Sequence, residues 1–331
     1  MKELPAIVAA MLAPAAPPAV LATLVRVEGS SYRRPGARLL VRPEGIRLGS
    51  ISGGCLEEDV MARAAQVQAS GQPDTVVYDT TTENDLVWGV GLGCHGVVRV
   101  LLEKVEPSPP WAAALARNFK QRRTTSLAVT HSVDDRGTWG TRLAAPGDCA
   151  DPERRFLDTI APPVALTIFG AGDDAQPLAR LAHELGWHVT IADPRAAFAT
   201  AERFPLAQAR VTGAAETLVA NVEPGPDTLA VVMTHHYVHD VPILRDLLAR
   251  PLAYLGLLGP KKRAGKILAD LAGAGRTITP EQQARLPAPV GLDLGADSPE
   301  QVALAMLAEM QSVLAGRDAR PLRDRARPIH E

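Results

Sequence analysis

The chain is poor in cysteine: Cys55, Cys94 and Cys149 are its only three among 331 residues, and no two stand in CxxC spacing. An odd number without metal-type spacing indicates neither a disulfide framework nor a cysteine-based tetrahedral zinc site, and points to a reducing cytoplasm. A basic excess is also lacking. With 35 Lys and Arg against 37 Asp and Glu, the formal charge is −2, so neither nucleic acid nor an acidic membrane surface is an expected partner. Nor is there an unbroken hydrophobic span. The run AIVAAMLAPAAPPAVLATLVRV has no basic flank beyond Lys2 and is interrupted by Pro14, Pro17 and Pro18, which argues against a signal peptide or membrane helix. Internal repeats and low-complexity tracts are absent. What remains is the composition of an ordinary globular protein, 46% hydrophobic and 22% charged, long for one core and comfortable for two.

The first hundred residues alternate between strand and turn signals: VLATLVRVEGS, ARLLVRPEGIRLGS, TVVYDT and HGVVRVLLEKVE. One amphipathic helix interrupts them, because Leu56, Val60, Ala64 and Val67 recur at steps of three and four. Residues 1–150 therefore read as a small α+β domain with a variable middle segment, and the proline- and charge-rich stretch 151–164 as a linker. From 165 to 331 the pattern changes to strands separated by helices: VALTIFG, PLARLAHELG, HVTIAD, a further helix, TLAVVMT, VPILRDLLAR, PLAYLGLLG and KKRAGKILADLAG. Such βαβ units imply a Rossmann-like, doubly wound parallel sheet, so the chain is α/β with a smaller N-terminal α+β domain. Ser298-Pro-Glu-Gln301 predicts a capping box at the start of the last helix.

IFGAGDDAQPLARLAHELGWHVTIADPR places Gly170, Gly172 and Ala175 in G-x-G-x-x-A spacing between a strand and a helix, with Asp193 ending the next strand. Glycines there allow a tight turn and close phosphate approach, and the acid can hold a ribose hydroxyl, so a nucleotide or NAD(P) is a candidate ligand. Asp173 and Asp174 oppose a pyrophosphate on the same amides, or cap the helix; Arg195 can offset them or bind a phosphate ester. A Rossmann scaffold with an altered or unused site is the plainer alternative.

Further along, MTHHYVHD brings His235, His236, His239 and Asp240 to the carboxyl edge of the sheet. If a helix starts there, His235 and His239 lie one turn apart and can ligate a metal. The favoured reading is instead that Asp240 caps that helix and the histidines line a polar crevice. Lys261, Lys262 and Arg263 open another helix at the same edge, as anion receivers or as a solvated face.

In the first domain, GSISGGCLEE (49–58) and WGVGLGCHG (88–96) are two glycine-rich turns, each carrying a cysteine. Both offer backbone N–H groups of the kind that form anion-holding nests. A helix N-terminus activates Cys55, whereas Glu57, Glu58 and Asp59 in the same turn act against it. No base is specified for a nucleophile, which leaves a ligand-facing thiol or plain packing.

Taken together, GSISGGCLE, GLGC followed by glycine, GAGDDA with DPR after the next strand, MTH, YLGLLG and GLDLGADSPEQVALAMLAEM resemble the XdhC family, the xanthine dehydrogenase accessory proteins, over most of the chain. The chain departs from the family pattern at His95, where a glycine is usual, and at Asp173, where a histidine is usual. The resemblance implies a protein that binds the molybdenum cofactor (molybdopterin), holds it for sulfuration by a cysteine desulfurase, and delivers it to a xanthine dehydrogenase-type apo-enzyme. On this reading Ser52, Gly53, Gly54, Cys55, Gly93 and Cys94 line a cofactor pocket, Gly170, Gly172, Ala175, Asp193 and Arg195 line a nucleotide site, and no metal site of the chain's own is expected. The role is that of a cytoplasmic chaperone, expected as a homo-oligomer. The alternative is an NAD(P)-dependent oxidoreductase with His235, His236 or His239 as proton donor.

Overall fold

The structure, a computed structural model, describes residues 2–79, 96–131, 139–275 and 278–326. The chain divides into two compact units, Met1–Pro162 and Pro163–Glu331.

In order, the first unit contains α1 (Glu3–Met11), β1 (Ala19–Gly29), β2 (Arg38–Val41), β3 (Arg47–Gly49), α2 (Glu57–Ser70), β4 (Asp74–Asp79), β5 (Gly96–Val105), α3 (Pro110–Lys120), β6 (Thr125–Thr130), β7 (Gly140–Leu143) and β8 (Arg155–Ile160). One antiparallel sheet has the order β3-β2-β1-β5-β4 and a smaller one the order β7-β6-β8. Alternation along β1 explains the layering. Val20, Ala22 and Leu24 pack with Val60, Ala64 and Val67 of α2, while Leu21 packs with Ile7 of α1 and Trp111 and Leu115 of α3. The stretch 151–164, read above as a linker, supplies β8, which pairs antiparallel with β6 from Thr125↔Ile160 to Thr130↔Arg155. Its FLDTI core was hidden by the surrounding proline and charge. Buried polar groups accompany this apolar core. Arg38 lies 2.7 Å from Asp158, and Glu103 accepts hydrogen bonds from the Thr141 N–H and hydroxyl.

The second unit runs β9 (Ala165–Phe169), α4 (Ala175–Glu184), β10 (His188–Asp193), β11 (Ala209–Thr212), α5 (Ala215–Leu218), β12 (Gly225–Val232), α6 (Tyr237–Leu247), β13 (Leu252–Leu257), α7 (Lys261–Gly273), α8 (Pro280–Ala284) and α9 (Pro299–Ala315). Its strands are parallel in the order β11-β10-β9-β12-β13, the doubly wound arrangement whose switch point falls between β9 and β12. Because the strands are covered on both sides, they read as nearly continuous apolar runs. Leu166, Ile168, Val189 and Val231 face Leu178 of α4 and Met306 and Met310 of α9; Phe169, Ala230 and Val232 face Ile243 and Leu247 of α6 and Ile267 and Leu271 of α7.

The helix expected between β10 and β12 is not a single helix. Pro194 and Pro205 interrupt the segment, its middle turns Ala199 and Phe204 into the core, and the chain then adds the edge strand β11 and the short α5. The capping box is present: the Ser298 hydroxyl accepts from Gln301 N, and Gln301 Oε1 accepts from Ser298 N at 3.0 Å. Among the described residues, no helix is long and apolar enough to cross a membrane.

Candidate functional site

In the first unit the turn after β3 is organised by an acid from the helix that follows it. Glu57 is 3% exposed. It continues the buried stripe Val60, Ala64 and Val67 of α2, so its carboxylate points inward under the turn. Glu57 Oε1 accepts from Ile51 N at 3.2 Å and Ser52 N at 2.9 Å, with the Ser50 hydroxyl at 2.8 Å. The Ser52 hydroxyl donates to Oε2 and itself accepts from Gly54 N and Leu56 N, both at 3.1 Å. Burial pushes the Glu57 carboxyl up, but these hydrogen bonds outweigh it and the net shift is downward. The charged form is therefore the one the turn is built around.

Four of the six amides from Ile51 to Leu56 are thus spent inside the turn. The nest read from GSISGGC is filled by the protein's own carboxylate. What the turn turns outward is exposed backbone at Gly53 and Gly54, the latter at φ +114°, where a side chain would be strained. The half-buried Cys55 packs partly against the core beneath. Tyr32, 67% exposed, lays its ring 3.7 Å from the position a Gly53 Cβ would occupy. The Tyr32 segment is tied down by Arg33, which donates to both carboxylate oxygens of Glu3. At its base Gly29 pairs with Gly96. Gly93 and Cys94 lie outside the described residues. Cys149 is exposed.

In the second unit Gly170 follows β9 at φ +121°, and a Cβ there would overlap the backbone carbonyl of Met233 beyond β12. The two strand ends at the switch point are in backbone contact, which only glycine permits. Asp193, 0% exposed, accepts from Ala171 N at 2.7 Å, from Arg195 N at 2.7 Å, and from Arg195 Nε and Nη2 at 2.9 and 2.8 Å. Burial raises its pKa; the Arg195 side chain and the two amides more than offset this and hold it below the ordinary carboxylate range. Asp193 therefore closes the glycine turn onto β10, and both its oxygens are used. A ribose would find neither free, so the residues do not fit a dinucleotide held in the usual way. Ala175 is fully buried at the start of α4.

The two acids of the GAGDDA turn do not cap α4 through their side chains. Asp173 pairs with Arg203 at 2.8 Å, and Arg203 and Arg195 flank Phe198, with guanidinium centres 5.3 and 4.1 Å from its ring centroid. Asp174 Oδ1 stands 2.6 Å from where a Gly172 Cβ would be, over the backbone a pyrophosphate would approach. Its other oxygen accepts from His235 Nε2 at 2.7 Å.

At the end of β12, α6 begins at Tyr237 with His236 at its N-cap. His235 lies outside the helix at φ +60°, so His235 and His239 do not share a helix face. Asp240 is buried and is not the helix cap; it receives the Thr234 hydroxyl at 2.5 Å and the Arg263 guanidinium. Arg263 is committed to this contact and to the His235 carbonyl at 3.4 Å, leaving Lys261 and Lys262 as the exposed cations at the start of α7. The His236 and His239 rings stand 5.7 Å apart. Among the described residues, no group of three or more His, Cys, Asp or Glu is placed to hold a metal.

The seating of Glu57 beneath the turn, Tyr32, Arg203 and the contact between Asp174 and His235 are not read from the sequence. A signal existed only for Glu57, the one acid of three that falls on the apolar stripe of α2.

Two family models match the chain, "XdhC Rossmann domain" over residues 166–310 and "XdhC and CoxI family" over 12–79. The chain is 34% identical over 314 residues to a probable xanthine dehydrogenase subunit from Bacillus subtilis (strain 168), covering 88% of this chain and 92% of that one. It is 28% identical to the molybdenum cofactor insertion chaperone PaoD of Escherichia coli (strain K12), covering 89% and 83%. The crystal structure of a xanthine dehydrogenase from Bacillus halodurans superposes with a TM-score of 0.80 at 30% identity, covering 97% of this chain and 98% of that one. Sequence motifs, the parallel sheet with its glycine turn and these likenesses agree: the chain belongs to the XdhC and CoxI family.

Proposed function

We propose that the protein is an accessory factor that binds the molybdenum cofactor, holds it for sulfuration and delivers it to a xanthine dehydrogenase-type molybdenum enzyme. The observation that carries this reading is the likeness, along nearly the whole chain, to a relative named as a molybdenum cofactor insertion chaperone. The Cys55 turn supports it chemically. A half-buried cysteine beside exposed glycine backbone suits a soft metal or its sulfur ligands. Cys94 is proposed as a second wall of the same pocket. The partners that follow are the apo-enzyme and a cysteine desulfurase, in the cytoplasm, with the chaperone acting as a homo-oligomer.

The test is a mass spectrum of the ligand retained by anaerobically purified full-length protein. A pterin is expected, with its amount reduced in Cys55→Ala; retention of a pterin undiminished in that variant overturns the site, and retention of none overturns the function. An NAD(P)-dependent oxidoreductase is the second reading, and draws on the glycine turn and on His235 at the carboxyl edge. The sealed Asp193 and the position of Asp174 over Gly172 weigh against it. Tight NADH binding that is lost in Asp193→Ala would restore it.

A further inference from the structure

A ligand that carries both a phosphate and a planar ring with sulfur donors has two chemically different ends, and the Cys55 turn is selective between them. Its amides at Ile51 and Ser52 point at Glu57, and those at Gly54 and Leu56 point at the Ser52 hydroxyl, whose proton goes back to Glu57. A serine hydroxyl has one proton and two acceptor sites, so Ser52 is saturated. An anion arriving at this turn would find most donors spent and a buried carboxylate already in place. Like charges cannot share such a site without one of them being neutralised. The neighbouring acids do not soften this. Asp59 is held by Arg63 and the Tyr78 hydroxyl, and Glu58 is exposed at the same helix start. What the turn leaves open is uncharged: Gly53 and Gly54 backbone, the part of the half-buried Cys55 that is not packed on the core, and the exposed ring of Tyr32, a flat surface suited to a planar heteroaromatic ring.

We infer that Glu57 is the positioning residue that sets the specificity of this turn: its carboxylate takes the place of an external anion, so the turn receives the ring and sulfur end of the cofactor and turns its phosphate away. The inference rests on the reading of this turn as a cofactor wall, but it is tested without the cofactor.

The experiment follows alkylation of Cys55 by iodoacetamide in the full-length protein, resolved at that residue by peptide mass spectrometry, as inorganic pyrophosphate is added. In the wild-type protein pyrophosphate leaves the rate unchanged. In Glu57→Ala the freed amides accept it, and alkylation slows several-fold. Protection of the wild-type protein, or a folded Glu57→Ala that gains none, overturns the inference. Should Glu57→Ala not fold, Ser52→Ala decides the matter. It keeps Glu57 on the Ile51 and Ser52 amides, and pyrophosphate is expected to leave its Cys55 rate unchanged, whereas protection in that variant overturns the proposal. Pterin retention, measured separately, judges the cofactor reading, so the two failures are distinguishable.

Discussion

Asp174 and His235 join the glycine turn after β9 to the end of β12 through a 2.7 Å hydrogen bond. The contact bridges the switch point of the parallel sheet, the place where ligands of such folds enter. His235 makes it from a left-handed backbone conformation at φ +60°, which a residue with a Cβ adopts only at a cost. The surrounding bonds maintain it: His236 N donates to Thr234, Thr234 to Asp240, and Arg263 to both Asp240 and the His235 carbonyl.

Strain at His235 is measurable. His235→Gly is expected to be more stable than His235→Ala by about 1 kcal/mol, since both lose the exposed pair with Asp174 and only glycine relieves the backbone. Chemical denaturation of the two variants checks this, and equal stabilities would mean the left-handed turn carries no cost.

Asp193 sets an acid limit on the second unit. Its folded pKa is depressed, so its contribution is fully present above the ordinary carboxylate range near pH ~4, and is lost as pH falls through the lower folded value. Asp193→Asn keeps the shape but turns donors toward Ala171 N and Arg195. It should cost about 2–3 kcal/mol at neutral pH and flatten the acid limb of a thermal-unfolding series against pH.

The opposite sign is expected at Glu103. Burial is the main cause that raises its carboxyl, against smaller opposing contributions from Thr141 and Arg38. The neutral form is favoured in the folded state, so this residue costs stability as pH rises above the unfolded value of about 4.3. Glu103→Gln can still accept from one Thr141 donor and is expected to be at least as stable as wild type at neutral pH. Thermal unfolding followed from pH ~4 to neutral reads the difference, the variant gaining on wild type as pH rises; a variant less stable than wild type throughout refutes it.

Gly170→Ala is a test of the switch-point contact. The added Cβ meets the Met233 carbonyl, and φ +121° is closed to alanine. A loss of about 3 kcal/mol or more is expected from strain plus overlap, against about 1 kcal/mol for Gly172→Ala, which is not at positive φ and whose nearest obstacle is the Asp174 side chain rather than backbone. Comparable losses in the two would show that the backbone of β12 can retreat.

Much of the architecture follows from local pattern. Strand and helix periods separate the antiparallel first unit from the parallel second, and Ser298 with Gln301 marks the start of α9 because a capping box is closed within a single turn. The family motifs are likewise contiguous, so they are legible one by one. Tertiary structure decided what depends on distant partners. Asp193 reads as a ribose acceptor until Ala171, 22 residues earlier, takes its oxygen. Asp240 reads as a helix cap until Arg263 reaches it from α7. β8 reads as a linker until β6 gives its backbone a partner. GSISGGC reads as an empty nest until α2 folds Glu57 beneath it. The reason is common to all four: sequence states which groups can donate or accept, but only the folded chain determines which of those capacities are already used.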